Sequence, residues 1–138
     1  MKDSNCIFCK IIAGEIPSRT IYEDDEFKVF LDVSPASKGH ALLVPKEHYE
    51  NLYVIDEEVA ARAMKLAKKI GAHMTETLGC EGFNLLQNNN EVAGQTVFHF
   101  HMHLIPRYAS AKNNDIFKWS CETFSAEELD EVRNLLAM

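Results

Sequence analysis

From Asp56 to Leu78 the apolar side chains Val59, Ala63, Leu66, Ala67, Ile70, Met74 and Leu78 return at steps of three and four, with Lys65, Lys68 and Lys69 between them. That period puts one apolar stripe on a helix, so the pattern predicts a long amphipathic helix over 56–78, with Gly79 as its C-cap. Elsewhere the pattern alternates. "TIYEDDEFKVFLDVSP" alternates on either side of an "EDDE" turn and predicts a hairpin. "HALLVP", residues 40–45, predicts a buried strand closed by proline, and "GFNLLQN" (82–88) and "TVFHFHMHLIP" (96–106) predict strands joined by the loop "NNEVAGQ". At the start, "CIFCKIIAGEIP" predicts a short helix or turn; at the end, "SAEE" (125–128) has capping-box spacing and opens a short helix through Leu136. Strands in close succession with one long helix among them predict an α+β domain on an antiparallel sheet. No repeat or low-complexity linker divides the chain, so 1–138 reads as a single domain.

Composition narrows the class. Apolar residues make up 46% and charged residues 25%, as in a folded globular domain, and the net charge of −7 argues against a nucleic-acid partner, which needs a basic face. A small anionic ligand remains compatible, held by backbone N–H groups and local histidines. No uncharged stretch is long enough to span a bilayer and the start lacks a signal-peptide pattern, so the expectation is a cytoplasmic protein with no membrane partner. In that compartment Cys6, Cys9, Cys80 and Cys121 read as thiols rather than a disulfide framework. Cys6-x-x-Cys9 has the spacing of half a zinc site, of a redox dithiol, or of two buried thiols.

Three of the six histidines fall within residues 99–103. On a strand His99, His101 and His103 would share one face, about 7 Å apart, with Phe98, Phe100, Met102 and Leu104 on the other. Three uses fit that face: histidines satisfied by core hydrogen bonds, one metal held by all three, or nucleophilic catalysis by a neutral imidazole.

"QTVFHFHMHLIP" resembles the signature of the histidine triad (HIT) family, His-φ-His-φ-His-φ-φ with φ apolar. "FLDVSPASKGHALLVPKEH" (30–48) and "CIFCKIIAGEIPS" are similar to two further blocks of that family, so the resemblance covers roughly residues 6–108 and leaves the tail and helix of about 112–138 outside it. It implies a HIT-like α+β fold with an antiparallel sheet of about five strands. It also implies a hydrolase acting on the α-phosphate of a purine nucleotide, and, in the Hint-like branch, a homodimer. The closest activity is cleavage of purine nucleoside phosphoramidates, as by an adenosine 5'-monophosphoramidase. Dinucleoside polyphosphate hydrolysis is the alternative, to which "HLIPRY" is more similar, and a nucleotide-binding regulatory protein is a reading of another class.

Roles carry over on matching positions. The resemblance makes His101 the nucleophile, forming a nucleotidyl-histidine, and His103 a second catalytic group and phosphate donor. Asn88, Gly94, Gln95 and Thr96 would form the phosphate-side loop, Asp32 would bind the ribose hydroxyls, Phe8, Phe30 and Val33 the base, and His40 would support the site by hydrogen bonding. Cys6, Cys9, His48 and His99 match the structural zinc set of bacterial members, with no organic cofactor; His73 receives no role.

Overall fold

A computed structural model describes residues 2–112 and 120–138; residues 113–119, within the predicted C-terminal tail, lie outside the described residues. Helix α1 (Ile7–Ile12) is followed by strands β1 (Thr20–Glu23), β2 (Phe27–Leu31) and β3 (Ala41–Pro45), then helix α2 (Glu57–Leu78) and β4 (Gly82–Leu86). A 3₁₀ turn (Glu91–Ala93), β5 (Met102–Arg107) and α3 (Ala126–Leu136) complete the chain. The five strands form one antiparallel sheet in the order β1-β2-β3-β5-β4, the expected α+β architecture.

Local chemistry sets the element ends. Asp56 caps α2 by accepting from the Glu58 and Val59 N–H groups, and Gly79 ends it in the left-handed region at φ 66°. Asp24 Oδ1 accepts from the N–H groups of Glu26 and Phe27 and so closes the β1–β2 turn. Cys6 is the N-cap of α1, its sulfur accepting from the Cys9 N–H.

The alternation of the strands divides the core between the two sheet faces. Val59, Ala63, Leu66, Ala67, Ile70 and Met74 of α2 pack on Val29, Ala41, Leu43, Met102 and Leu104, so the apolar stripe is buried against its own sheet. On the opposite face Phe8, Cys9 and Ile11 of α1 cover Phe30, Leu42 and Val44. His103, paired in register with Leu42, also lies on the α1 face.

Two predicted strands are shorter than expected. β5 begins only at Met102, because residues 96–101 bond outside the ladder: Phe100 N–H donates to the Tyr49 carbonyl at 2.6 Å, and the Val97 carbonyl accepts from the Gln95 side chain at 3.0 Å. His99 and His101 therefore precede the strand rather than lying on it, and Phe98 is exposed instead of facing the core. β4 stops at Leu86, where Gln87 and Asn89 exchange side-chain hydrogen bonds in a local turn.

Candidate active site and metal centre

Four of the predicted ligands converge. The ligand atoms of Cys6, Cys9, His48 and His99 all lie within 4.8 Å of one another. His99 Nδ1 stands 3.4 Å from Cys6 Sγ, 3.6 Å from Cys9 Sγ and 3.1 Å from His48 Nδ1, and Cys9 Sγ is 3.4 Å from His48 Nδ1. A tetrahedral ion bound at about 2.0 Å to nitrogen and 2.3 Å to sulfur sets its ligands roughly 3.3–3.8 Å apart, close to this spacing. The protonation pattern agrees as well. His99 Nε2–H donates to the Pro45 carbonyl at 2.8 Å, which leaves Nδ1 bare toward the cluster. Burial holds His99 down at about 4, so the ring is neutral at pH 7, as a ligand must be. The residues fit a metal ion.

Immediately beyond this cluster the same segment shapes a second site. His101 Nδ1–H donates to the His99 carbonyl at 2.7 Å, so the Nε2 lone pair is free at the cleft. Phe8 packs edge-on against that ring at 5.0 Å and 88°, and burial keeps the imidazole below the ordinary histidine range. The His101 ring is thus oriented, neutral and partly desolvated.

His103 is set by a chain of hydrogen bonds. The Ala36 N–H donates to His40 Nδ1 at 2.9 Å, which places the His40 proton on Nε2. That Nε2 lies 2.9 Å from His103 Nδ1 and 3.5 Å from Asp32 Oδ2. His103 Nδ1 therefore accepts, and its own proton sits on Nε2, ready to donate to an anion. The ligand atoms of Asp32, His40 and His103 also lie within 4.8 Å of one another, but the tautomer imposed by Ala36 protonates the nitrogen a cation would need bare. This second cluster is a hydrogen-bond relay.

Burial, with His101 and His40 adding to it, lowers His103 from 6.5 to about 4. The stability contributed by keeping it neutral is therefore complete above pH 6.5 and is lost as pH falls toward 4, because the unfolded chain takes up the proton first. Urea midpoints are expected to fall less between pH 7 and pH 5 in His103→Asn than in the native protein; equal falls would contradict the assignment.

A cleft of about 740 Å³ opens on His101 and His103, within the size range of small-ligand sites. Phe8, Asp32, Val33 and Thr96 line it as expected from the sequence, although Val33 is 89% exposed and forms rim rather than slot. Phe30 does not line the cleft; it stays buried behind Phe8, in edge-on contact at 5.7 Å. His40 sits behind His103. Asn88 and Gly94 lie outside the cleft lining and hold each other: Asn88 Nδ2–H donates to the Gly94 carbonyl at 3.4 Å, and a Cβ on Gly94, at φ 94°, would lie 3.3 Å from that nitrogen.

Gln95 serves the backbone rather than the cleft. It is 1% exposed, its Oε1 accepts from the Asn90 N–H, and its Nε2 donates to the carbonyls of Glu50 and Val97. Sequence reasoning missed the cleft residues Ile7, Ile11, Ile16, Arg19, Leu31 and Leu42. The four-residue step from Ile7 to Ile11 on one short helix was the available signal for that wall.

The model of the HIT domain family matches residues 13–110. The chain belongs to the HIT family. A crystal structure of a HIT family member from Bacillus subtilis superposes at a TM-score of 0.85 with 43% identity, covering 97% of this chain and 96% of that one. The adenosine 5'-monophosphoramidase hnt1 of Schizosaccharomyces pombe is 44% identical over 103 residues, 75% of this chain and 74% of its own. A zinc-bound histidine triad family protein from Mycobacterium smegmatis is 34% identical, with a TM-score of 0.74 over 96% of this chain and 94% of that one. In this HIT protein His99 belongs to the Cys/His cluster while His101 and His103 line the cleft. Among the described residues, no helix is long and apolar enough to cross a membrane.

Proposed function

We propose that this HIT protein hydrolyses purine nucleoside 5'-phosphoramidates through a nucleotidyl-histidine intermediate. The observation that carries the reading is the His101 Nδ1–H bond to the His99 carbonyl, which leaves Nε2 unprotonated at the cleft. Nε2 attacks the α-phosphorus and the P–N bond breaks, the amine leaving with a proton from solvent. Water then attacks the same phosphorus, the P–Nε2 bond breaks, and nucleoside monophosphate departs with the oxygen of that water. His103 Nε2–H and the Thr96 hydroxyl donate to the phosphate oxygens where charge develops. Asp32, its Oδ1 accepting from the Ser34 N–H and its Oδ2 near His40, accepts from the ribose hydroxyls. The S. pombe relative's name supports the choice of substrate. The test compares an adenosine 5'-phosphoramidate with a diadenosine polyphosphate. Turnover of the first in preference is the expected result; preference for the second would reassign the activity, and turnover of neither would end the enzyme reading.

In this reading the Cys6, Cys9, His48 and His99 set holds a structural zinc, four protein ligands leaving no open position for a catalytic water. The compartment is the cytoplasm, consistent with the free thiols of Cys6, Cys9 and Cys80. The protein is a homodimer: edge strand β4 exposes Phe83 and Leu85 beside Met64 of α2, an apolar face with an unpaired strand edge that suits a second copy. Sedimentation equilibrium is expected to return twice the chain mass, and Met64→Glu the single mass; a monomeric native protein at tens of micromolar would remove this part.

A further inference from the structure

One cation of the cleft has no task in the chemistry above. Arg19 lines the cleft just before β1, is exposed, and enters no ion pair or side-chain hydrogen bond among the described residues. Its backbone is anchored, the Arg19 carbonyl accepting from the Leu31 N–H at 3.0 Å, so the side chain starts from a fixed point.

The sheet register says which part of a nucleotide Arg19 meets. His103 pairs with Leu42, Leu42 with Phe30, and Phe30 with Thr20, so one row of residues crosses four strands from the histidines to the start of β1. Three strand spacings amount to roughly 14 Å, about the reach of phosphate, ribose and purine laid end to end. With phosphate at His101 and His103 and ribose at Asp32, the apolar wall of Ile7, Ile11 and Leu42 takes the faces of the base. A base so placed ends near the start of β1, beside Arg19 of the cleft lining.

A guanidinium offers only donors, in a planar fork. Guanine answers with two acceptors, O6 and N7, whereas adenine offers N7 beside an amino group that is itself a donor. We propose that Arg19 selects the base, favouring a 6-oxopurine nucleotide such as a guanosine phosphoramidate over its adenosine counterpart. The inference rests on the reading that the cleft takes a nucleotide with its phosphate at His101.

The test measures kcat/KM for guanosine and adenosine 5'-phosphoramidates carrying the same amine, with calorimetric titration of GMP and AMP alongside. The native protein is expected to favour guanosine in both measurements. Arg19→Ala is expected to lower the guanosine-to-adenosine ratio about tenfold, mainly through KM. Arg19→Lys, which keeps the charge and lacks the fork, is expected to leave the ratio low. Equal losses on both nucleotides, an unchanged ratio, or restoration by lysine would overturn the proposal. Should neither phosphoramidate be hydrolysed, the catalytic reading falls and the GMP-to-AMP affinity ratio still decides the role of Arg19; binding of neither nucleotide would remove both.

Discussion

Replacing His101 by alanine is expected to lower kcat on an adenosine 5'-phosphoramidate by about 10⁴-fold or more, with KM changing far less. The asymmetry follows from what His101 does in this geometry. Its ring is held by Phe8 on one side and by the His99 carbonyl through Nδ1, so the atom lost is the one proposed to form the bond to phosphorus. The apolar cleft wall of Ile7, Ile11 and Leu42 does not depend on that ring. Acid quenching during turnover, followed by mass spectrometry, should reveal the native chain heavier by one nucleotidyl group and the variant unmodified. A variant as active as the native protein would show that another group attacks. An active native protein with no covalent species on any timescale would point to direct attack by water.

The second large effect concerns the metal centre. Cys9→Ser is expected to abolish stoichiometric zinc and to lower the thermal midpoint by about 10 °C or more, with chelation of the native protein having a similar effect. Cys9 contributes more than a ligand atom. Its N–H donates to Cys6 Sγ at the start of α1, and its sulfur approaches both His48 and His99. Without the ion, the Cys6 thiol and the His48 and His99 rings remain crowded together under α1, where burial already pushes that thiol up. Elemental analysis of the native protein decides the matter independently of folding. A metal-free, fully stable native protein with a reversible Cys6–Cys9 disulfide would replace the zinc reading with a redox one.

Much of the fold could be read from the chain because side-chain periodicity reports burial. α2 was expected over 56–78 and spans 57–78, with Asp56 as its cap, and the strand expected at 40–45 covers 41–45. The same signal misled at 96–106. Alternation records which way side chains point, while strand formation needs a partner for the backbone; from 96 to 101 the partners are the Tyr49 carbonyl, the Gln95 amide and a histidine ring. Gln95 illustrates the other limit. A glutamine in a Gly- and Asn-rich loop looks like a ligand contact, and only its burial reveals a brace for three backbone segments. Spacing pointed to Cys6 and Cys9 as half of a cluster, but His48 and His99 joined them through resemblance alone, since nothing local links Cys6 to a histidine 93 residues later. The resemblance pointed to His40 as a hydrogen-bonding support, but the tautomer relayed from Ala36 through His40 to His103 had no signal in the sequence, because it begins at a backbone N–H.

The strand order β1-β2-β3-β5-β4 has an evolutionary consequence. His101 and His103 sit beside and on β5, flanked by strands on both sides, whereas the far end of the cleft is bounded by Ser18 and Arg19, just before β1 at the margin of the sheet. Substitutions at that margin have a strand on one side only, so under the proposed function descendants of one ancestor can drift in which nucleotide they prefer while the histidines are inherited intact.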